Sequence, residues 1–346
     1  MKFKILATTV TLVLLIGCRK EKVQYSGNIK DHFFLENNGA TMPVYVEGNI
    51  NSNKILIMVH GGPGDGALYY NTEEATNIAE KDFAMAYWDQ RLAGITQGNK
   101  ADVSLKAYTE DLGKLIVLLR SRYGQSKKIY LIGHSWGGFL VPLFLKEGNN
   151  QSLVNGWIQV DGIHNYALND ELTRSSLIEF GNKEITANRH VEEWQKIVDY
   201  CVGNDPTGNY KVGRKLNDYA HEAEDLIDDI HKGKSTFKSI KYFVREYRFP
   251  ITSFLSNGVY NHFIKKIDEQ AYAETASSKL GTITLPTLLL WGKYDFICPS
   301  SLKDDLQNNI SSTDLTSKIF DNSGHNAMTN EPVAFWTTVR DWMQTH

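Results

Sequence analysis

The stretch from Lys128 to Leu145 constrains this chain more than any other. An apolar run, Lys128-Ile129-Tyr130-Leu131-Ile132, leads into Gly133-His134-Ser135-Trp136-Gly137-Gly138. A second apolar run, Phe139 to Leu145, follows. The pattern predicts a strand, a sharp turn and a helix. Glycines two before and two after the serine match the Gly-x-Ser-x-Gly nucleophile elbow, a strained turn with no room for side chains at those positions. Such a turn lifts the Ser135 hydroxyl above the sheet edge, at the positive end of the following helix. Alone, the five residues also fit an ordinary glycine-serine loop, so the rest of the chain has to decide.

The surrounding pattern predicts an α/β architecture. His32 to Glu36 and Met42 to Val46 are extended stretches joined by Asn38-Gly39, a strong hairpin signal. Lys54 to Val59 and Phe83 to Trp88 are continuous apolar runs, as expected of strands buried on both faces, with a helical composition between them over Glu73 to Lys81. Tyr108, Leu112, Leu115, Ile116 and Leu119 recur at helical spacing over Ser104 to Arg122, and Gly124 is placed to end that helix. Trp157 to Val160 reads as a further strand. Strands alternating with helices imply a mostly parallel sheet covered on both faces. From residue 164 to 284 the alternation stops, and the chain reads as helical and polar. Val191 to Val202 and Leu216 to His231 fit helices, and Asp205 to Gly208 a turn. Leu285 to Trp291, Lys318 to Phe320 and Val333 to Met343 then resume as strand, strand and helix. The expected division is a core of residues 31–163 and 285–346 with a helical cap inserted at 164–284.

Composition fits a large core: of 346 residues, 42% are hydrophobic and 22% charged. A net charge of −3 gives no nucleic-acid footprint. Short basic clusters such as Lys232 and Lys234 read as solvated surface. The N-terminus has the layout of a secretory signal: Lys2 and Lys4, an apolar run from Ile5 to Ile16, then Leu15-Ile16-Gly17-Cys18. That ending resembles a bacterial lipobox over residues 1–18, which implies lipidation of Cys18, a polar tether over residues 19–30 and an exported, membrane-anchored protein of the cell envelope. Anchoring of that kind needs more than one acyl chain, at ~0.8 kcal/mol per buried methylene. Cys201 and Cys298 read as two separate buried thiols, and no Cys-x-x-Cys suggests a redox or zinc site.

A serine hydroxyl is a poor nucleophile until a base takes its proton. Two downstream residues meet that need in the order Ser, acid, His. Asp295 follows one strand in Trp291-Gly292-Lys293-Tyr294-Asp295, and His325 follows the last strand in Asn322-Ser323-Gly324-His325. Both sit at strand carboxyl ends, where open α/β sheets build their sites. Asp161, after the strand ending at Val160, stands as an alternative acid. His60-Gly61-Gly62-Pro63-Gly64 offers bare backbone to a developing oxyanion, with Gly62 and Trp136 as the expected N–H donors; His60 reads as a structural residue of that loop. His221-Glu222-Ala223-Glu224-Asp225 begins like a zinc-protease helix, but the second histidine is missing. No cofactor or metal is called for.

His60 to Gly64, Trp88-Asp89-Gln90-Arg91 and Gly133 to Gly138 together resemble the α/β-hydrolase superfamily, and within it the proline iminopeptidase family. The resemblance covers residues 31–163 and 285–345. It departs at Leu92-Ala93-Gly94-Ile95-Thr96 and at Asp161-Gly162-Ile163-His164. It implies a Ser135–Asp295–His325 triad, a helical cap and removal of N-terminal residues, often proline, from short peptides. In those enzymes acids of the cap hold the substrate's amine. Here Glu222, Glu224, Asp225, Asp228 and Asp229 read as a solvated helix face. An esterase or other acyl hydrolase, and a non-catalytic envelope binding protein on the same scaffold, are the alternatives.

Overall fold

The computed structural model describes residues 24–98, 103–231, 257–274 and 277–346. The lipobox with Cys18, residues 19–23 of the tether, and the Lys232 and Lys234 cluster lie outside the described residues.

Eight strands form one sheet in the order β1-β2-β4-β3-β5-β6-β7-β8. They are β1 (Asn28–Asn37), β2 (Ala40–Asn49), β3 (Lys54–Val59), β4 (Ala84–Trp88), β5 (Lys128–His134), β6 (Gly156–Val160), β7 (Thr287–Gly292) and β8 (Leu315–Phe320). β1 and β2 pair antiparallel, as do β2 and β4, and every later pairing is parallel. Asn38 (φ 44°) and Gly39 (φ 75°) make the two-residue turn that sets Asn37 against Ala40. Positive φ at both positions is why that dipeptide signals a hairpin. β1 starts at Asn28, so the last residues of the expected tether are already paired in the sheet.

The helix α1 (Leu105–Tyr123) is built as its sequence suggests. The Ser104 side chain accepts the Ala107 N–H at its start, and Gly124 (φ 126°) ends it. Its buried face, Tyr108, Leu112, Leu115, Ile116 and Leu119, packs into the same core as α2 (Trp136–Leu145), which is buried along its whole length. Each such side chain contributes ~1.5–3 kcal/mol relative to exposure, an upper bound. Pro142 inside α2 has no N–H for the Gly138 carbonyl one turn back. The Gln159 Nε2 amide of β6 donates to that carbonyl instead, at 3.0 Å. A second hydrophobic cluster covers the opposite sheet face, where α8 (Pro332–Thr345) contributes Phe335, Trp336, Val339 and Trp342.

Between β6 and β7 the described chain is helical: α3 (Tyr166–Thr186), α4 (Val191–Gly203), α5 (Tyr210–Asp225) and α6 (Asn257–Ala273). The helix expected over Leu216 to His231 opens at Tyr210 and stops at Asp225. Asn209 caps it by accepting the Val212 N–H. Within this helix Gly213 stands where another helix comes too close for a side chain: a Cβ there would lie 2.0 Å from Asp170 Oδ2. A further helix, α7 (Ser300–Asn309), lies between β7 and β8.

Candidate active site

The elbow is as tight as its glycines suggest. Ser135 has φ 54° and ψ −117°, a region that costs non-glycine residues ~1–3 kcal/mol. A Cβ at Gly133 would lie 2.5 Å from the Gly137 carbonyl oxygen, and one at Gly137 would lie 1.9 Å from that of Val59. The Ser135 N–H donates to Val160 O at 3.1 Å, tying the turn to β6. Ser135 and Gly62 line one cleft together with residues of the inserted helices.

Asp295 and His325 come together behind it. His325 Nδ1 lies 3.1 Å from Asp295 Oδ2, and both residues are buried. A carboxylate only accepts, so Nδ1 carries the ring hydrogen and Nε2 is left as the acceptor. Burial lowers the His325 pKa to about 3, which favours the neutral base. Asp295 Oδ1 accepts the N–H groups of Ile297 (2.9 Å) and Cys298 (2.8 Å). His134, the residue before the nucleophile, packs its ring 4.8 Å from that of His325. His134 Nε2 donates to the His325 carbonyl at 2.9 Å, and Nδ1 accepts from Tyr70 Oη at 2.8 Å. Tyr70 Oη accepts the Gly61 N–H at 3.0 Å. One run of hydrogen bonds thus joins the glycine loop, the elbow and the histidine loop.

A second run fixes the glycine loop from the other side. The Trp136 ring donates Nε1–H to Gln90 Oε1 (3.0 Å), and Gln90 Nε2 donates to the His60 carbonyl (2.9 Å). The Gln90 N–H donates to His60 Nε2 (3.1 Å), so Nδ1 donates to the Gly61 carbonyl (2.8 Å). His60 is therefore spent on holding the loop, and burial lowers its pKa to about 4. The same contacts explain the Trp88 to Arg91 motif. Asp89 accepts the Ala67 and Ile95 N–H groups, and Arg91 pairs with buried Asp111 at 2.7 Å. Trp88, Trp136 and Trp291 are wholly buried core residues.

Asp161 lies behind Asp295 and not against the imidazole. It is buried with φ 44°, and its Oδ1 accepts the Gly292 N–H at 2.8 Å. Asp295, Cys298 and His325 bring ligand atoms within 4.8 Å of one another. His325 Nδ1 and both Asp295 oxygens are engaged with each other and with backbone N–H groups, and burial holds the Cys298 thiol protonated. Cys201 and Cys298 are both free and buried.

Three acids of the inserted helices do what the sequence did not announce. Glu224 of α5 leaves the solvated face expected of it. Its carboxylate accepts the His325 N–H (3.1 Å) and the Phe296 N–H (3.3 Å), while Glu222, Asp225, Asp228 and Asp229 are exposed. Gly324 is needed for this approach, since a Cβ there would lie 2.3 Å from Glu224 Oε2. Asp170 of α3 and Asp268 of α6 line the cleft that holds Ser135. Tyr272 Oη donates to Asp170 at 2.7 Å and Tyr210 Oη to Asp268 at 3.0 Å. Arg214 Nη1 is 3.7 Å from Asp268. Burial raises the pKa of Asp170 to about 6 and that of Asp268 in the same direction. No periodicity or motif connects residues so far apart in sequence; their partners sit on other helices.

Known proteins resemble this chain in sequence and in fold. Residues 51–170 match the family model described as "Serine aminopeptidase, S33". The probable aminopeptidase YbaC of Bacillus subtilis is 23% identical over 311 residues, which span 85% of this chain and 90% of that protein. A proline iminopeptidase of Lactobacillus crispatus is 21% identical, over 84% of this chain and 90% of its own length. Among solved structures, a proline iminopeptidase of Mycobacterium smegmatis superposes with a TM-score of 0.64 at 16% identity, covering 91% of this chain and 98% of that one. An esterase of Exiguobacterium antarcticum superposes with a TM-score of 0.57 at 17% identity, covering 92% and 100%. The chain has the α/β-hydrolase fold. The α/β-hydrolase frame supplies the parallel sheet and the strand ends, and the inserted helices supply the other wall of the cleft.

Proposed function

We propose that this α/β-hydrolase is a serine aminopeptidase of the proline iminopeptidase type, acting on short peptides with a free N-terminus. His325 Nε2 takes the Ser135 proton as the hydroxyl attacks the carbonyl. The N–H groups of Gly62 and Trp136 stabilise the oxyanion, and His325 then protonates the leaving amine. Water repeats the cycle on the acyl-enzyme. Asp295 holds the imidazole tautomer and balances the imidazolium charge. By the lipobox resemblance, we further propose that the enzyme is exported and held at the membrane through Cys18.

The observation that carries the substrate class is the carboxyl pair, Asp170 and Asp268, on the same cleft as Ser135. Two acids oriented by tyrosine hydroxyls are a site for an ammonium group, and an ester without an amine gains nothing from them. The test compares prolyl and other aminoacyl anilides, their N-acetylated counterparts and short-chain esters. Asp170→Asn and Asp268→Asn are expected to raise KM for the free-amine substrates at least about tenfold, one lost charge-assisted contact of ~1.5–3 kcal/mol. Ester turnover should change by less than about twofold, since esters bring no positive charge. Because Asp170 ionises as pH rises through about 6, KM for the amine substrates should fall across that range. Turnover confined to esters, or equal turnover of blocked and free amines, would discard the peptidase reading.

A further inference from the structure

Three carboxyl groups crowd the far side of His325, where one is enough to orient the ring. Asp295 follows β7, Asp161 ends β6 and Glu224 comes from α5. Among the described residues, none of the three is ion-paired with a lysine or arginine; the groups that face them are His325, Cys298, backbone N–H groups and one another.

Their donors differ. Asp295 receives hydrogen bonds from His325 Nδ1, Ile297 N and Cys298 N, each of which favours its charged form. Asp161 Oδ1 receives the Gly292 N–H. The Ala327 N–H also favours the charged form of Asp161, but no hydrogen bond is completed to the buried Asp161 Oδ2, and the side chain is within hydrogen-bonding range of the Asp295 carboxyl. Two carboxylate oxygens in contact away from water need a proton between them, because both groups cannot ionise. Asp295 already has its donors, whereas Asp161 has an oxygen with none.

We propose that Asp161 is held as a neutral carboxylic acid whose O–H donates to the Asp295 carboxylate, making it a positioning residue for the acid of the triad. The proton leaves one negative charge, on Asp295, aimed at His325. Burial and the neighbouring Asp295 both push Asp161 toward the protonated form. Its left-handed backbone is one that Asp and Asn adopt more readily than other side chains. This inference rests on the Ser135–His325–Asp295 reading.

Asp161→Asn and Asp161→Gly separate the possibilities. Asparagine tolerates the backbone, accepts the Gly292 N–H through Oδ1 and donates Nδ2–H to Asp295. Glycine tolerates the backbone but donates nothing. The Gly variant should lose about 100-fold in kcat with little change in KM, as expected of a misplaced catalytic group. The Asn variant should recover to within about fivefold of wild type, since its amide N–H replaces the acid O–H as donor. An Asn variant as inactive as Asp295→Asn would overturn the proposal, since Asp161 would then be needed as an anion; so would a Gly variant that is folded and fully active. A second measurement does not depend on turnover. The infrared difference spectrum of wild type against Asp161→Asn at neutral pH should contain the carbonyl stretch of a protonated carboxylic acid, and its absence would equally overturn the proposal. Failure of a fluorophosphonate to label Ser135 in the wild type would instead sink the triad reading, leaving the infrared result to judge Asp161.

Discussion

The sheet core and the inserted helices face one cleft but are held there differently. In the core, Ser135 and Asp295 are fixed through backbone. Ser135 N bonds the Val160 carbonyl, Asp295 bonds two N–H groups, and the glycines of the elbow touch carbonyl oxygens. On the inserted side, the cleft acids are fixed by other side chains, Asp170 by Tyr272 and Asp268 by Tyr210. Backbone moves little when a side chain changes, so the core geometry is intolerant and reproducible. A side-chain pair is rebuilt by one or two substitutions, so the inserted wall is free to carry specificity.

The largest expected break in this contrast is Asp295→Asn. It keeps the shape but favours the wrong imidazole tautomer, and kcat should fall about 10⁴-fold while the binding of amine substrates is kept. Glu224→Ala sharpens it from the other side. Glu224 belongs to the insert but bonds backbone of the Asp295 and His325 loops, so on the proposed mechanism its loss should lower kcat about 100-fold. Glu222→Ala, exposed on the same helix, should leave kcat within about twofold, as for most surface substitutions. Equal effects of the two would show that Glu224 is only part of a solvated face.

The smallest effect concerns stability. Burial lowers the His134 pKa to about 3, below its value of 6.5 in the unfolded chain. Between those values the unfolded chain binds a proton that the native state refuses. Stability from this group is therefore present above pH 6.5 and is lost as pH falls. His134→Gln, which retains a donor for the His325 carbonyl and an acceptor for Tyr70, lacks this term. The stability gap between wild type and variant, from urea unfolding, should shift toward the variant by about 1.4 kcal/mol per pH unit below 6.5. A gap constant from pH 7 to 5 would mean that His134 is solvated or charged in the native state.

How much of this was readable in the sequence follows from the same contrast. Strands buried on both faces announce themselves as apolar runs, and a strained turn announces itself by glycine, because both are local demands on neighbouring residues. The order Ser135, Asp295, His325 was legible because Ser135 directly follows β5, Asp295 stands three residues past β7 and His325 five residues past β8. Asp170, Asp268 and Glu224 were not, because the partners of the first two come from other helices and those of Glu224 from loops 72 and 101 residues away. Glu224 was misread as solvated for that reason: four acids near it in sequence are exposed, and only the packing of α5 against the histidine loop distinguishes it.

Gly213 has a consequence of another kind. The bare backbone at that point lets α5 lie against Asp170 and Tyr272, both of which a methyl group would meet within 2.4 Å. Alanine at 213 costs the helix nothing intrinsically; by propensity it is ~1 kcal/mol more favourable there than glycine. It would, however, push the Asp170 carboxylate out of its seat. A change that improves the helix would thus disturb the Asp170 wall of the cleft and leave Ser135, His325 and Asp295 as they are. On the proposed reading, Gly213→Ala should therefore weaken the turnover of free-amine substrates while ester turnover is kept.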